Sequence, residues 1–389
     1  MKLNILFLFS FLISAITFGQ QRQLSPQAEI SVLTIGSGTN LNDAFGHNGF
    51  RIKDRQLGLD VVYGYGEYDF DTPNFYLKFA QGKLNYLISK HSFSDFYKIY
   101  TYYDRTIQEQ VLNLSASEKQ KLYDYLVHNY KPENRRYLYD FFYDNCATKI
   151  RDVTNHISDK TITFSTPKTY KAKTFRQLIH EHVGLNTWGS FGIDMALGSV
   201  IDKTAEPYEQ MFLPKYIHDF FGETKISNSK PLVKESKTIY KKRHQNHTEN
   251  FLWSPFMIMT LIAVFILYIT YKDKKQHKRS KWLDVFVFGI TGVLGVLMLL
   301  LWFGTNHSAT AQNYNILWAF PLNLLVIGQL LKPKIKNWFK SYLKFLIIMF
   351  GLITLHWIIG VQVFAIALIP LLIALLYRYI YIYNFLSKA

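Results

Sequence analysis

Apolar positions fall into three regimes along this chain. Residues 1–19 combine Lys2, an unbroken apolar run from Ile5 to Ile16, and the small-residue ending Thr17-Phe18-Gly19. That is the pattern of a cleaved secretory signal, and with no Cys after the run it is not a lipoprotein signal. Residues 24–224 carry apolar positions broken by Gly and Pro, with no run long enough to cross a bilayer, and predict one exported domain. Residues 225–250 are polar and basic, lack helical or strand periodicity, and read as a linker or membrane-surface segment. Residues 251–389 hold apolar spans at about 252–271, 282–303, 314–331, 342–358 and 360–377, each near the ~20 residues that cross a bilayer as helix. The expectation is an all-α bundle of five transmembrane helices.

Within the exported domain, Glu29–Ile35 alternates as a strand and breaks at Gly36-Ser37-Gly38 into a loop leading to Asp43 and His47. Phe50-Arg51-Ile52 and Leu59–Tyr63 alternate around a turn, predicting a β-hairpin with His47 at its entry. Ser115 and Glu118 have the spacing of a capping box for a helix through His128. Asn145 or Asp144 precedes a second helix on which Ala147, Ile150 and Val153 share a face, so Cys146 falls in its first turn. Strands and helices together indicate an α+β domain.

Composition and charge refine this picture. The chain is 49% hydrophobic and 17% aromatic, too apolar for an ordinary soluble protein. Its net charge of +16 is concentrated in part in two short loops. Lys272, Lys274, Lys275, Lys278, Arg279 and Lys281 mark the first, and Lys332, Lys334, Lys336 and Lys340 the second. Both are expected to be cytoplasmic, placing the exported domain on the periplasmic face of the bacterial inner membrane. The charge is mostly topological and implies no nucleic-acid partner.

Cys146 is the single cysteine, so no internal disulfide is possible. A thiol in the first turn of a helix meets free N–H groups and the positive end of the helix dipole, both of which favour thiolate. The distant His47 supplies a base, and the pair is the minimal set for thiol nucleophilic catalysis. The plainer alternative is a buried core Cys, which the polar neighbours Asp144, Asn145, Thr148 and Lys149 oppose. His180-Glu181-His182 lacks a third ligand and its residues two apart do not share a helix face, so no metal site is expected. Asp194 and Asp202 read as caps or surface positions. With the derived topology, Asn306, His307, Thr310, Asn313 and Asn315 gather at the outer face, approached by His356 and Gln362. Asn306, His307, Asn313 and His356 are candidate substrate-binding groups, while Asn323 and His356 lie within or near apolar spans, where polar groups are costly.

The order of His at a hairpin entry and Cys at a helix start resembles the circularly permuted papain-like fold of NlpC-type hydrolases and lecithin:retinol acyltransferases. That resemblance makes His47 the base and Cys146 the nucleophile. It sets Tyr63 at the third position, where such proteins have His, Asn or an acid; Glu67, Asp69 and Asp43 are rivals. More specifically, Phe45-Gly-His-Asn-Gly-Phe-Arg-Ile52, Tyr63-Gly-Tyr-Gly-Glu-Tyr-Asp-Phe70 and Asn145-Cys-Ala-Thr-Lys-Ile-Arg-Asp152 resemble the exported domain of the Lnb-type lipoprotein N-acyltransferases of Bacteroidetes. Phe191–Ser199, Met211–Pro214 and Thr305-Asn-His307 extend the likeness into the membrane part. The resemblance implies transfer of an acyl chain from a phospholipid, through a Cys thioester, to the N-terminal amine of a diacylglyceryl-cysteine on a lipoprotein, without cofactor or metal. A membrane-anchored peptidoglycan amidase or endopeptidase and a non-enzymatic lipoprotein-binding protein are the alternatives.

Overall fold

The alternating segments form a seven-stranded antiparallel sheet, and their apolar residues divide between its two faces. In the computed structural model, which describes residues 22–159, 162–226, 230–244 and 250–388, the strands are β1 (Glu29–Ile35), β2 (His47–Asp54), β3 (Leu59–Glu67), β4 (Asn85–Ser92), β5 (Ile107–Leu112), β6 (Arg136–Leu138), β7 (Lys173–Thr174), β8 (Thr204–Ala205), β9 (Lys225–Ile226), β10 (Lys230–Pro231) and β11 (Val233–Tyr240). The expected signal segment 1–19 lies outside the described residues. The main sheet has the order β11-β5-β1-β2-β3-β4-β6. One face presents Ile30, Val32, Phe50, Ile52 and Tyr63 to a core shared with helices Ala116–Asn129, Cys146–Ile157, Phe175–Val183 and Pro214–Glu223. The other presents Leu33, Ile35, Val62 and Ile107 to Phe96 of helix Phe93–Tyr102. Each such fully buried apolar side chain stabilises the fold by about 1.5–3 kcal/mol.

The basic segment after 224 is not a linker. It contributes β9, β10 and the edge strand β11, which pairs with β5 from Val233↔Leu112 to Tyr240↔Ile107. Its period-2 signal is hidden because an edge strand exposes most of its side chains, and lysines there also discourage pairing with other chains. The exported domain therefore extends past 224.

Four helices among the described residues are long and apolar enough to cross a membrane: Pro255–Lys275, Lys281–Phe303, Trp338–Ile358 and Leu368–Lys388. The expected helix at 314–331 is instead a 3-10 turn at Tyr314–Leu317, a break at Pro321, and helix Asn323–Leu331. Nine residues rise about 14 Å, half of the ~30 Å hydrocarbon core. The segment still passes from end to end of the bundle. Asn313 donates to the carbonyl of Met195 in the exported domain, and the Leu330 carbonyl accepts from Arg279 at the opposite end. The last helix begins at Leu368 rather than at 360, since Gly360 adopts a left-handed φ of 74° and Pro370 is tolerated only in a first turn.

The two lysine-rich loops lie together, where a buried cluster also joins the helices. Arg378 Nε donates to Asp284 at 2.7 Å and its terminal nitrogen to Asp273 at 2.8 Å, while Arg279 pairs with Asp284 at 3.2 Å. Two cations thus face two carboxylates. The other end of the bundle docks on the exported domain.

Candidate active site

Asn145 starts the Cys146–Ile157 helix by accepting from the N–H groups of Ala147 (2.8 Å) and Thr148 (3.0 Å), and Thr148 Oγ1 accepts from the Asn145 N–H in return. Its amide also donates to the Phe212 carbonyl at 2.9 Å, which locks the helix start to the following layer. Cys146 is consequently the first helical residue. The backbone N–H groups of Asn48, the residue after His47, and of Ala147 and Cys146 itself are close enough to its half-buried sulfur to favour the charged form. These donors bring the thiol to the start of β2.

His47 opens β2, paired with Ile35, and its ring stacks on Tyr100 with centroids 6.4 Å apart. Arg105 lies alongside, donating to the Gly36 carbonyl at 2.9 Å, with its guanidinium 4.0 Å from Asp43 and 5.1 Å from the Tyr100 ring centroid. Burial pushes the Cys146 thiol up to about 11, against the opposing effect of the three N–H donors and Arg105. Burial, reinforced by the positive charges of Arg105 and His91, holds His47 down at about 4. The resting pair is therefore uncharged, with a neutral imidazole free to accept a proton. Burial also raises Tyr100 to about 12, so its hydroxyl stays protonated. Tyr137 and Tyr139 are close enough to feel the sulfur's charge.

Tyr63 does not join this group. It pairs with Phe50 across the hairpin, and Phe50 is three residues from His47, so strand alternation puts Tyr63 on the opposite face. Its ring is buried edge-on against Tyr130 at 6.1 Å. Beside His47 Nε2 is Gly64 on β3, whose carbonyl accepts from Ser89 Oγ of β4 at 3.3 Å. Gly64 lies between them: a Cβ there would meet Nε2 at 3.1 Å and Ser89 Oγ at 3.3 Å. Among the rivals, Glu67 accepts from or pairs with His91 Nε2 at 2.8 Å and Asp69 pairs with Arg136 at 2.6 Å. Asp43 accepts from the Asn40 N–H at 2.9 Å, organising the loop that leads to His47.

The outer-face polar residues are placed at the junction of the two domains. The Asn306 N–H donates to the Gln81 carbonyl (2.8 Å), and His307 Nε2 lies 3.1 Å from the Phe79 carbonyl oxygen. Asn313 is fully buried, donating to the Met195 and Ala196 carbonyls, and Gln362 accepts from the Tyr314 N–H. His356 bonds the Leu352 carbonyl of its own helix and packs on Tyr314. Thr310 donates to the Leu301 carbonyl, and Asn315 to that of Asp194. Asn306, His307, Asn313 and Asn315 thus stitch exported domain to membrane bundle, whereas Thr310, His356 and Gln362 bond within the bundle. Asn323 binds Thr291 and Tyr342 between helices, which satisfies its amide within the bundle.

Asp194 and Asp202 are buried rather than at the surface, because Arg176 forms ion pairs with both, at 2.8 and 2.9 Å. His180 Nε2 approaches Asp194 at 3.0 Å, and His182 bonds the carbonyl of Leu178 in its own helix. Among the described residues no cluster of His, Cys, Asp or Glu could hold a metal. The site residues invisible to sequence reading are Asn48, Ser89, Tyr100 and Arg105. Only Asn48, adjacent to His47, carried a local signal.

Neither a curated relative nor a solved structure matches the chain. Two family models do: residues 19–181 match the Lnb N-terminal periplasmic domain and residues 246–389 the Lnb transmembrane domain. With both halves matched in order, a periplasmic α+β domain followed by a multi-pass helical domain, the chain belongs to the Lnb family.

Proposed function

We propose that the chain is a lipoprotein N-acyltransferase of the bacterial inner membrane, using Cys146 as nucleophile and His47 as base. The observation that carries this reading is the Cys146 sulfur, held by converging backbone N–H groups at a helix start beside His47, in a domain docked on a membrane bundle. Family membership already ties the protein to lipoprotein N-acylation.

In this mechanism the sulfur attacks the ester carbonyl of a phospholipid while His47 takes the thiol proton. Because the resting pair is uncharged, proton transfer accompanies attack instead of preceding it. The N–H groups of Asn48 and Ala147, beside the sulfur in the resting site, are assigned to the carbonyl oxygen as negative charge develops on it, and one such donor is worth about 10²–10³ in rate. The carbon–oxygen bond breaks, His47 returns its proton to the leaving lysophospholipid oxygen, and a thioester remains. The N-terminal amine of a diacylglyceryl-cysteine then attacks the thioester carbonyl. His47 accepts the amine proton and passes it to the departing sulfur. Tyr100, Tyr137 and Tyr139 limit water, which would otherwise hydrolyse the thioester. Stacking on Tyr100 and the missing side chain at Gly64, which leaves room for Nε2, hold the imidazole in place without Tyr63.

The test is mass spectrometry of lipoprotein N-termini in cells carrying wild type, Cys146→Ser or His47→Ala, together with acyl labelling of purified protein. A hydroxylamine-sensitive acyl group should accumulate on wild type when donor lipid is present without acceptor, and both variants should abolish N-acylation. Persistent N-acylation in Cys146→Ser cells would refute the assignment. Cleavage of cell-wall fragments without acyl label would establish the amidase instead.

A further inference from the structure

An apolar cleft of about 640 Å³ opens between helices Pro255–Lys275 and Lys281–Phe303. These neighbours in sequence diverge: the first packs along Leu368–Lys388 and the second along Asn323–Leu331. Ile262 and Ile266 form one wall, Ile290 the other, and Leu371 the floor. Ile262 and Ile290 remain 39% and 45% exposed, so the cleft is open sideways, in the plane of the membrane helices. The medium that reaches it there is lipid.

Its roof comes from the exported domain. Phe191, Gly192 and Met195 of helix Trp188–Ala196 cover the end nearest that domain. Trp188 Nε1 donates to the Trp253 carbonyl at 2.8 Å, and Asn186 accepts from the Phe256 N–H at 3.0 Å, which fixes the roof to the first membrane helix. On its other side the roof touches the loop between β1 and His47, with the Cβ position of Gly189 2.9 Å from Leu41 Cδ1. The cleft thus connects, through one short helix, to the loop that positions the base.

Depth and chemistry define the guest. Ile266 lies eleven residues into a helix that begins at Pro255, about 16 Å at 1.5 Å per residue, half of the ~30 Å hydrocarbon core. That is the depth of one leaflet. Thr291 and Trp318 are the lining residues with polar side-chain atoms, and both are committed, the Thr291 hydroxyl to the Val287 carbonyl at 2.8 Å and Trp318 Nε1 to Asn315 Oδ1 at 3.0 Å. Nothing in the lining recognises a headgroup.

We propose that this cleft holds one fatty-acyl chain of a phospholipid from the periplasmic leaflet, with its ester end beneath the roof helix. That this lipid is the acyl donor rests on the acyl-transfer reading above.

The test uses the full chain in phospholipid nanodiscs doped with a phosphatidylethanolamine carrying a diazirine acyl chain, with cross-linked peptides mapped by mass spectrometry. Ile348 and Leu325, 62% and 80% exposed, report ordinary surrounding lipid. Ile262, Ile290 and Met195 should be labelled at least about fivefold more than these. Gly192→Phe projects a ring into the cleft without a clash, since no atom lies within 4 Å of its Cβ position. It should remove most cleft labelling while leaving Ile348 labelling and the melting temperature unchanged. Equal labelling of cleft and surrounding positions would overturn the proposal. So would displacement by a diacylated lipopeptide but not by excess unlabelled phospholipid, which would assign the cleft to the acceptor. Acylated Cys146 without cleft labelling defeats the cleft and leaves acyl transfer standing; cleft labelling without acylated Cys146 supports the lipid site and defeats the transfer reading.

Discussion

Gly64→Ala should make the protein more stable and less active. Gly64 is mid-strand with ordinary backbone torsions, and replacing glycine by alanine in a strand stabilises by about 0.5–1 kcal/mol through lower backbone entropy in the unfolded chain. The added methyl would lie 3.1 Å from His47 Nε2 and 3.3 Å from Ser89 Oγ, both inside ordinary contact distance. The imidazole tip, being a side-chain end, yields by a few tenths of an ångström. A displacement near 1 Å costs about 10² in rate, so the smaller shift is expected to cost about tenfold. Acyl-enzyme formation measured by single-turnover labelling should fall by that factor, while the melting temperature holds or rises by ~1–3 °C. Unchanged single-turnover kinetics would refute the argument that this gap positions the base. A lower melting temperature would show that the methyl is accommodated by the sheet and not by the ring.

Gly198→Ala should separate the two domains, because a Cβ there would come 1.8 Å from the Ala311 carbonyl oxygen, a backbone atom that cannot step aside; acyl transfer should be lost while Cys146 still reacts with a small soluble electrophile. The pH profile of acyl-enzyme formation should lack an inflection at 6.5, its acid limb lying near 4, because His47 is held at about 4; a limb between 6 and 7 would refute this. The same depression means that the unfolded chain binds the proton more tightly, so His47 withdraws stability as pH falls from 6.5 to about 4, visible as a falling denaturation midpoint. Arg378→Met should cost about 3–5 kcal/mol by stranding Asp273, since Asp284 keeps Arg279, and adding Asp273→Asn should restore part of it in a double-mutant cycle.

What was legible in the sequence was local. Strand β1, the β2–β3 hairpin, the Ser115 capping box and the placement of Cys146 in a first helical turn each follow from neighbours within a few residues. The surroundings of His47 Nε2 were not legible, since the β3–β4 pairing and the missing side chain at Gly64 shape them. Arg105 arrives from the turn after Asp104, whose left-handed φ of 49° nothing in the residue type demands. Strand alternation alone could have excluded Tyr63, given the register in which it faces Phe50. In the membrane part, hydropathy located the four long apolar helices but not the break at Pro321, because apolar residues continue through it. The Arg378 cluster was hidden for a different reason: Asp273, Arg279 and Asp284 are close to helix ends, where they pass for loop residues, and Arg378, in the middle of its helix, lies just past the apolar span that ends at 377.

The edge strand β11 also has a bearing on how the protein is made. It is the last strand of its sheet in chain order, and its far end is fastened by Asp104, which accepts from the Tyr240 hydroxyl and from the N–H groups of Arg243 and His244. The first membrane helix starts at Pro255, eleven residues beyond His244. During export, β5 therefore waits with a bare edge until nearly all of the translocated chain has crossed. The strand that covers it emerges just before the segment that halts translocation. Completion of the sheet and anchoring in the bilayer are consecutive events at the same exit, so the domain finishes folding already tethered to the membrane.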